Sequence, residues 1–401
     1  MKVLLITSKW SVPGEDIDGG SMTTRDVLDT IAADSIVDLL LPEGYKGFNI
    51  IGAKNIFYYP IDDDIIKNYN GSNKFICRIK ISRLVGTIVS KIHNNYDKIV
   101  ILHTFHAFEI CSWNNAALNK KIVLFPMLLT PSYINSGEIV PQYYIRNEKK
   151  TLKVVGKIIT PSLYEQNQLE SFYGIDLKKI SCIPRFVNSI FRISNFARNE
   201  ETHITICYIA SFKKQKQNEK AVELLMLLLK SGLNVHLYLV GAIHDSVEYD
   251  NLIRYISDNY LNNHITIMNS MSQTEVNRIY SKAFINISVA RCETFGRAII
   301  EGLYTGLPAF VLKSARCFNM LIGENHGVDY FDSIEDMAKR IKYLFHNPDL
   351  YSELRAQAEN FGVQFEEKRI KPILKKEIFI SMSINAAFTS WSFLRHIMQI
   401  R

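Results

Sequence analysis

The sequence predicts an α/β protein made of two domains, each a parallel sheet with helices on both faces. Three observations carry this expectation. Short apolar runs alternate with amphipathic segments almost end to end, and strands separated by helices pair in parallel. The alternation restarts after FVNSIFRISNFARN, residues 186–199, a polar and irregular stretch. The chain has 401 residues, more than one hydrophobic core usually organises, and two domains of roughly 150–200 residues each is the natural division.

In the first half the predicted strands are Val3–Thr7, Ile36–Leu41, Ile56–Tyr59, Ile99–His103, Ile122–Phe125, Ile158–Thr160 and Ser181–Ile183. Helical spacing falls between them at Ser21–Ala33, Phe75–His93 and Leu163–Tyr173. The second half runs strand Ile204–Ile209, helix Asn218–Leu229, strand Val235–Val240, helix Glu248–Tyr260, strand Ile265–Met268 and helix Gln273–Ser281. Strand Ala283–Val289, a helix from about Phe295, strand Ala309–Leu312 and helices at Ile334–Phe345 and Asp349–Phe361 complete it. The expected domains are residues 1–188 and 189–372, with 373–401 as a C-terminal element. Open sheets of this kind bind ligands beyond the carboxyl ends of their strands, so a cleft between the domains is the expected site.

Composition narrows the function. Hydrophobic content of 47% and charged content of 22% are those of an ordinary soluble protein. The net charge of +7 is mild; it fits an anionic ligand or a membrane surface better than a nucleic-acid coat, and a plain soluble surface equally well. Cys77, Cys111, Cys182, Cys207, Cys292 and Cys317 form no CxxC pair and no metal spacing with histidine, the pattern of reduced cytosolic thiols. MKVLLITSKW has too short an apolar run for a signal peptide and reads as a first strand. No clean apolar run of spanning length occurs, Ile378–Leu394 being the nearest. A cytoplasmic protein with no metal and no bound cofactor is expected.

The informative stretch is ETFGRAIIEGLYTGLP, residues 293–308. Glu293 stands on a loop after a strand, and Glu301 inside the helix that follows. The backbone N–H groups of Thr294, Phe295, Gly296 and Arg297 would head that helix, where N–H groups lack intrahelical partners and the dipole favours an anion. Gly296 would let a ligand approach the backbone closely. A carboxylate on either side of an anion cradle suits a molecule with hydroxyls at both ends and phosphate between. A nucleotide sugar is such a molecule.

These residues resemble the E-x7-E motif of family 4 retaining glycosyltransferases, whose fold is GT-B, two Rossmann-like domains facing a central cleft. The resemblance implies that Glu293 holds donor sugar hydroxyls and Glu301 the ribose diol. It also implies a C-terminal helix, within 373–401, crossing back to the first domain. YIASFKKQKQNEKAVELL, residues 208–225, resembles the family's diphosphate-binding strand, loop and helix, with Lys216 on the family's lysine. Ser211 stands where the family has arginine and Ala210 where it has glycine, so Lys213, Lys214 or Arg297 is the candidate replacement cation. Asn269 follows the strand that flanks the base, and Gly241 ends the strand of the second nucleotide-binding half. In the first domain Gly20 belongs to a loop expected near the donor phosphate, and His103 ends a strand where relatives carry a histidine facing the transferred sugar. His106 is a weaker candidate for that role. The family's later His-Asp pair is replaced by FPMLLTPSY, residues 125–133.

By this resemblance the protein is a metal-independent retaining glycosyltransferase with Glu293, Lys216 and His103 as catalytic residues. It would use a nucleotide-diphosphate sugar and a saccharide or lipid-linked glycan acceptor, with no nucleic-acid partner, in bacterial surface polysaccharide assembly. A GT-B epimerase or phosphorylase, or a nucleotide-sugar-binding partner subunit without activity, is the alternative. Helix 75–93 adds a further expectation. Its apolar Phe75, Ile76, Ile79, Leu84, Val85, Ile88, Val89 and Ile92 lie opposite Lys74, Arg78, Lys80, Arg83 and Lys91. A basic amphipathic helix of this kind can lie on an anionic bilayer, or pack its apolar face on the first sheet. Lys371, Lys375 and Lys376 precede Ile378–Met398, a second candidate membrane element.

Overall fold

The computed structural model describes residues 1–10, 19–192 and 203–380, apart from positions 64, 66–68, 70, 72, 270 and 324. The chain divides into two compact units. Of the described residues, the first comprises 1–10, 19–184 and 370–380, and the second 185–192 and 203–369.

The first unit is built on β1 (Lys2–Ile6), β2 (Ile36–Pro42), β3 (Asn55–Tyr59), β4 (Lys98–Leu102), β5 (Ile122–Phe125), β6 (Lys157–Thr160) and β7 (Ile180–Cys182). They form one sheet in the order β3-β2-β1-β4-β5-β6-β7, parallel throughout. The strands are apolar on both faces, as strands covered by helices on both sides must be: Val3, Leu4, Leu5 and Ile6 are all fully buried.

The second unit repeats the plan with β8 (Ile204–Ile209), β9 (Val235–Val240), β10 (Ile265–Met268), β11 (Ile285–Ser288), β12 (Ala309–Leu312) and β13 (Val328–Phe331). Their order is β10-β9-β8-β11-β12-β13, again all parallel. Each sheet winds outward in both directions from a central pair, β1 and β4 in one and β8 and β11 in the other. Between the ends of such a pair the connections diverge and leave a crevice. This topology, more than any one helix, decides which loops can hold a ligand.

Two corrections concern single elements. The strand β13 was not expected, because VDYF carries Asp329 and buries only Val328 fully. Arg78 was expected on the polar side of its helix, Lys74–Ile92, yet it is buried. Its guanidinium lies against the rings of Tyr69, Phe75, Phe105 and Tyr133 and donates to the Tyr133 hydroxyl at 2.5 Å. Phe75, Ile81, Val85 and Val89 of the same helix join the first unit's core. The apolar face therefore covers the sheet, and Ile76 is the large apolar side chain it leaves exposed. In the C-terminal element the helix Glu367–Phe379 is described, with Glu377 paired to Lys157 and Lys375 to Asp34. The rest of Ile378–Met398, from residue 381, lies outside the described residues.

Candidate active site

The second unit brings the two central loops of its sheet together. After β8 the chain passes Ala210 and Ser211, makes a tight turn at Lys214–Lys216 and enters the helix Asn218–Lys230. After β11 it passes Cys292 and Glu293 and enters the helix Arg297–Tyr304. The Arg291 N–H donates to the Gln215 carbonyl at 2.9 Å, tying loop to loop. Beside this link the Lys216 ammonium is ion-paired with Glu293 Oε1. Both side chains are mostly shielded, with 14% and 20% of their surface exposed, so the pair is neither a solvated surface bridge nor sealed from a ligand.

Beneath it the Tyr208 hydroxyl donates to the Lys216 carbonyl at 2.5 Å. Burial and the Glu293 charge hold this phenol well above its ordinary pKa, which keeps it a donor. Gln217, which leads into the helix, sits at φ 51°. A side chain at a left-handed position costs free energy and persists where surrounding contacts demand it.

The helix Arg297–Tyr304 has Gly296 at its N-cap, at φ 73°, with no side-chain cap. A Cβ there would lie 2.0 Å from the Phe318 ring, so backbone angle and close approach both require glycine. Phe295 is buried, and Thr294 and Arg297 are partly exposed around the helix start. Glu301 is 7% exposed, well short of a solvated helix glutamate; burial first, and then the Glu301 charge, hold the nearby Tyr280 phenol well above its ordinary pKa. Gly241 directly follows β9, where a Cβ would lie 2.3 Å from the Ala210 carbonyl. Ser211 offers no charge; its carbonyl accepts from Asn218 Nδ2 at 3.3 Å. Asn269 is exposed just past β10. Lys216, Glu293, Thr294, Phe295, Gly296, Arg297, Glu301, Ser211 and Gly241 thus gather on loops and helix starts at the carboxyl edge of one sheet.

Gly20 and His103 belong to the first unit and occupy the equivalent central positions there. Gly20 opens the helix Gly19–Ala32 after β1, and its carbonyl accepts from Thr24 Oγ1 at 3.2 Å. His103 follows β4 at φ 72° and donates its N–H to the Phe125 carbonyl at 2.9 Å. Just past the neighbouring β5, Met127 has φ 67° and Leu128 N–H bonds back to the Pro126 carbonyl at 2.8 Å, a γ-turn of the strained kind. Two non-glycine residues in sparse backbone regions, at adjoining strand ends, are the sort of strain that marks functional edges. His106 is fully buried and donates from Nδ1 to the Leu102 carbonyl at 2.5 Å. Burial pushes its imidazole down to about 4, with the Leu102 contact opposing and the Arg78 charge adding to the shift. It is a neutral core residue, which removes it as a ligand-facing candidate.

Residue spacing carries no signal for Tyr208, Tyr280, Asn286 or Phe318, which lie beneath the site. Each occupies an ordinary strand or helix position, and only the fold shows what it supports.

Known proteins share this organisation. Residues 190–361 match the family model described as Glycosyl transferases group 1. A GDP-Man:Man(3)GlcNAc(2)-PP-Dol alpha-1,2-mannosyltransferase of Dictyostelium discoideum is 22% identical over 191 residues, 43% of this chain and 38% of the relative. The chain therefore spans about two-fifths of the length of the curated relative it matches. Among solved structures, sucrose-phosphate synthase from Thermosynechococcus elongatus superposes with a TM-score of 0.74 at 16% identity, covering 94% of this chain and 97% of that one. Anabaena Alr3699/HepE in complex with UDP-glucose gives 0.71 at 14%, covering 94% and 98%. WaaG, a glycosyltransferase involved in lipopolysaccharide biosynthesis, gives 0.71 at 13%, covering 94% and 99%. The fold is GT-B, with two Rossmann-like α/β units.

Proposed function

We propose that this protein is a retaining glycosyltransferase that moves a sugar from a nucleotide-diphosphate sugar to a saccharide or lipid-linked glycan acceptor. The observation that carries the proposal is the Lys216–Glu293 pair at the central crevice of the second sheet, beside the uncapped start of the helix bearing Glu301. UDP and UDP-glucose are the ligands of the HepE structures, which supports a nucleotide-sugar donor.

The chemistry follows from charge. Breaking the sugar–phosphate bond builds negative charge on the departing diphosphate, and fixed positive groups stabilise it without reorganising. Lys216 and the N-terminus of Arg297–Tyr304 are those groups, so the step requires no metal. Glu293 orients the Lys216 ammonium and accepts hydrogen bonds from sugar hydroxyls. Glu301 takes the ribose hydroxyls. Attack by the acceptor hydroxyl on the face the diphosphate leaves retains configuration, with the leaving phosphate oxygen taking the proton. His103, just after β4 of the first unit, is the proposed third catalytic residue.

Among the described residues no helix is long and apolar enough to cross a membrane. The exposed Lys80, Arg83 and Lys91 of Lys74–Ile92 suit peripheral contact with an anionic membrane, where lipid-linked acceptors reside. The wider role in bacterial surface polysaccharide assembly draws support from the likeness to WaaG. Ser211 favours one other reading, a nucleotide-sugar-binding subunit without activity. Incubation with a panel of nucleotide sugars, scored for nucleotide release against a Glu293→Ala control, separates the two: release by the wild type alone supports the transferase.

A further inference from the structure

One peptide unit at the carboxyl edge of the second sheet is clamped at both ends. The Arg291 N–H donates to the Gln215 carbonyl at 2.9 Å. The Ala290 carbonyl, part of the same unit, accepts from Ser314 Oγ at 3.1 Å. Ala290 is fully buried and Arg291 is exposed. A peptide unit is planar and stiff. This one therefore ties together the loops after β8, β11 and β12, and it fixes the point from which the Arg291 side chain leaves.

Gln215 directly precedes Lys216, and a hydrogen bond of this length keeps the Arg291 and Lys216 Cα atoms within about 7 Å of each other. Two residues after Arg291, Glu293 holds the Lys216 ammonium. An arginine side chain is long enough to bring its guanidinium to whatever the Lys216 ammonium touches. Among the described residues no carboxylate pairs with Arg291, whereas Lys213 and Arg297 already take part in interactions of their own. The other charges near the crevice are few. Lys216 shares its charge with Glu293, Ser211 carries none, and a helix start such as that of Arg297–Tyr304 is worth about half a positive charge. A departing diphosphate gains more negative charge than these offset. The planar fork of a guanidinium meets phosphate oxygens two at a time.

We infer that Arg291 is the second cation of the diphosphate subsite, taking the phosphate charge that Lys216 leaves unmet. This rests on the donor-binding reading proposed above. An uncharged Ser211 is then tolerated for a physical reason: the cation absent from the loop after β8 comes from the loop after β11, which the Ala290–Arg291 unit joins to it.

The test measures binding of UDP, GDP and ADP and of the matching monophosphates to wild type, Arg291→Ala, Arg291→Lys and Lys214→Ala. The clamps on residue 291 are made by its backbone and its side chain is exposed, so these variants should fold, with melting temperature as the check. Wild type is expected to bind one diphosphate more tightly than its monophosphate. Arg291→Ala should weaken that diphosphate about tenfold or more, roughly one lost hydrogen bond between charged groups, and change the monophosphate about twofold or less. Arg291→Lys, which keeps the charge and loses the fork, should fall between wild type and Arg291→Ala. Lys214→Ala, a neighbouring exposed cation, should leave both nucleotides within about twofold of wild type. Unchanged diphosphate affinity in Arg291→Ala, or equal weakening of diphosphate and monophosphate, would overturn the inference while leaving the donor reading intact. Wild type that binds none of the nucleotides would overturn that reading, and the inference with it.

Discussion

Lys216 and Glu293, 77 positions apart in the chain, meet as an ion pair where the loops after β8 and β11 converge. The pair is a device for presenting a cation. A lone ammonium on a Lys-rich turn would sample many rotamers, whereas the carboxylate opposite, with Tyr208 fixing the Lys216 carbonyl, narrows it to one direction. Glu293→Ala should therefore lower turnover by roughly 10²–10³. Nucleotide affinity should fall much less, because the diphosphate then has Lys216 to itself. Initial rates and nucleotide titrations on one preparation check this; wild-type turnover in the variant would contradict it.

Ser211 leaves the diphosphate with fewer cations than the resembling family supplies. Lys216→Ala should weaken nucleoside diphosphate binding about 10–100-fold, with Arg297→Ala costing less. Calorimetric titration compares them, and the reverse order would move the principal contact to Arg297.

Gly296 is constrained twice, by φ 73° and by the Phe318 ring. Gly296→Ala should destabilise the protein by about 1–3 kcal/mol and weaken nucleotide binding as the helix start shifts. Adding Phe318→Ala removes the clash but not the backbone cost, so it should restore part of the binding and none of the stability, since it opens a cavity of its own. Full recovery in the double variant would show that the backbone angle is not limiting.

His106 gives a signed pH prediction. Its folded pKa, about 4, is below the ordinary 6.5. The unfolded chain therefore binds a proton that the folded one refuses, and stability is present above about pH 6.5 and lost as pH falls toward 4. At pH 5 the loss amounts to about 2 kcal/mol. His106→Leu should flatten the stability difference between pH 7 and pH 5 by about that amount, read from denaturant unfolding of the first unit. An unchanged slope would mean that the imidazole is not the titrating group.

The surface of Lys74–Ile92 decides the membrane question. With its apolar face in the core, attraction must come from exposed cations, each contributing about 1 kcal/mol near an anionic bilayer. Co-sedimentation should appear with anionic and not neutral vesicles and fade with salt. Equal recovery in both supernatants would exclude the contact.

Much of the fold was legible because parallel sheets write themselves as short apolar runs such as VLLI and IVIL, buried on both faces. What escaped was governed by contacts distant in sequence. Arg78 looked like a surface cation because helical spacing cannot see the tyrosine and phenylalanine rings that enclose it. The strand β13 was hidden by Asp329, whose charge is met by Arg340 at 2.7 Å. At the site, the glycines and glutamates of residues 293–302 announced themselves through spacing. Tyr208 and Tyr280 could not, since a phenol beneath a loop and a phenol in a core look alike until their acceptors are known.

The most direct test of the account is the anomeric configuration of the product. The protein is given its preferred nucleotide sugar and an acceptor glycan in the presence of a chelator, and the new linkage is followed by NMR, with Glu293→Ala in parallel. The account predicts a product with the donor's own anomeric configuration, formed without divalent metal and reduced at least a hundredfold in the variant. An inverted product, or undiminished transfer by Glu293→Ala, would contradict it.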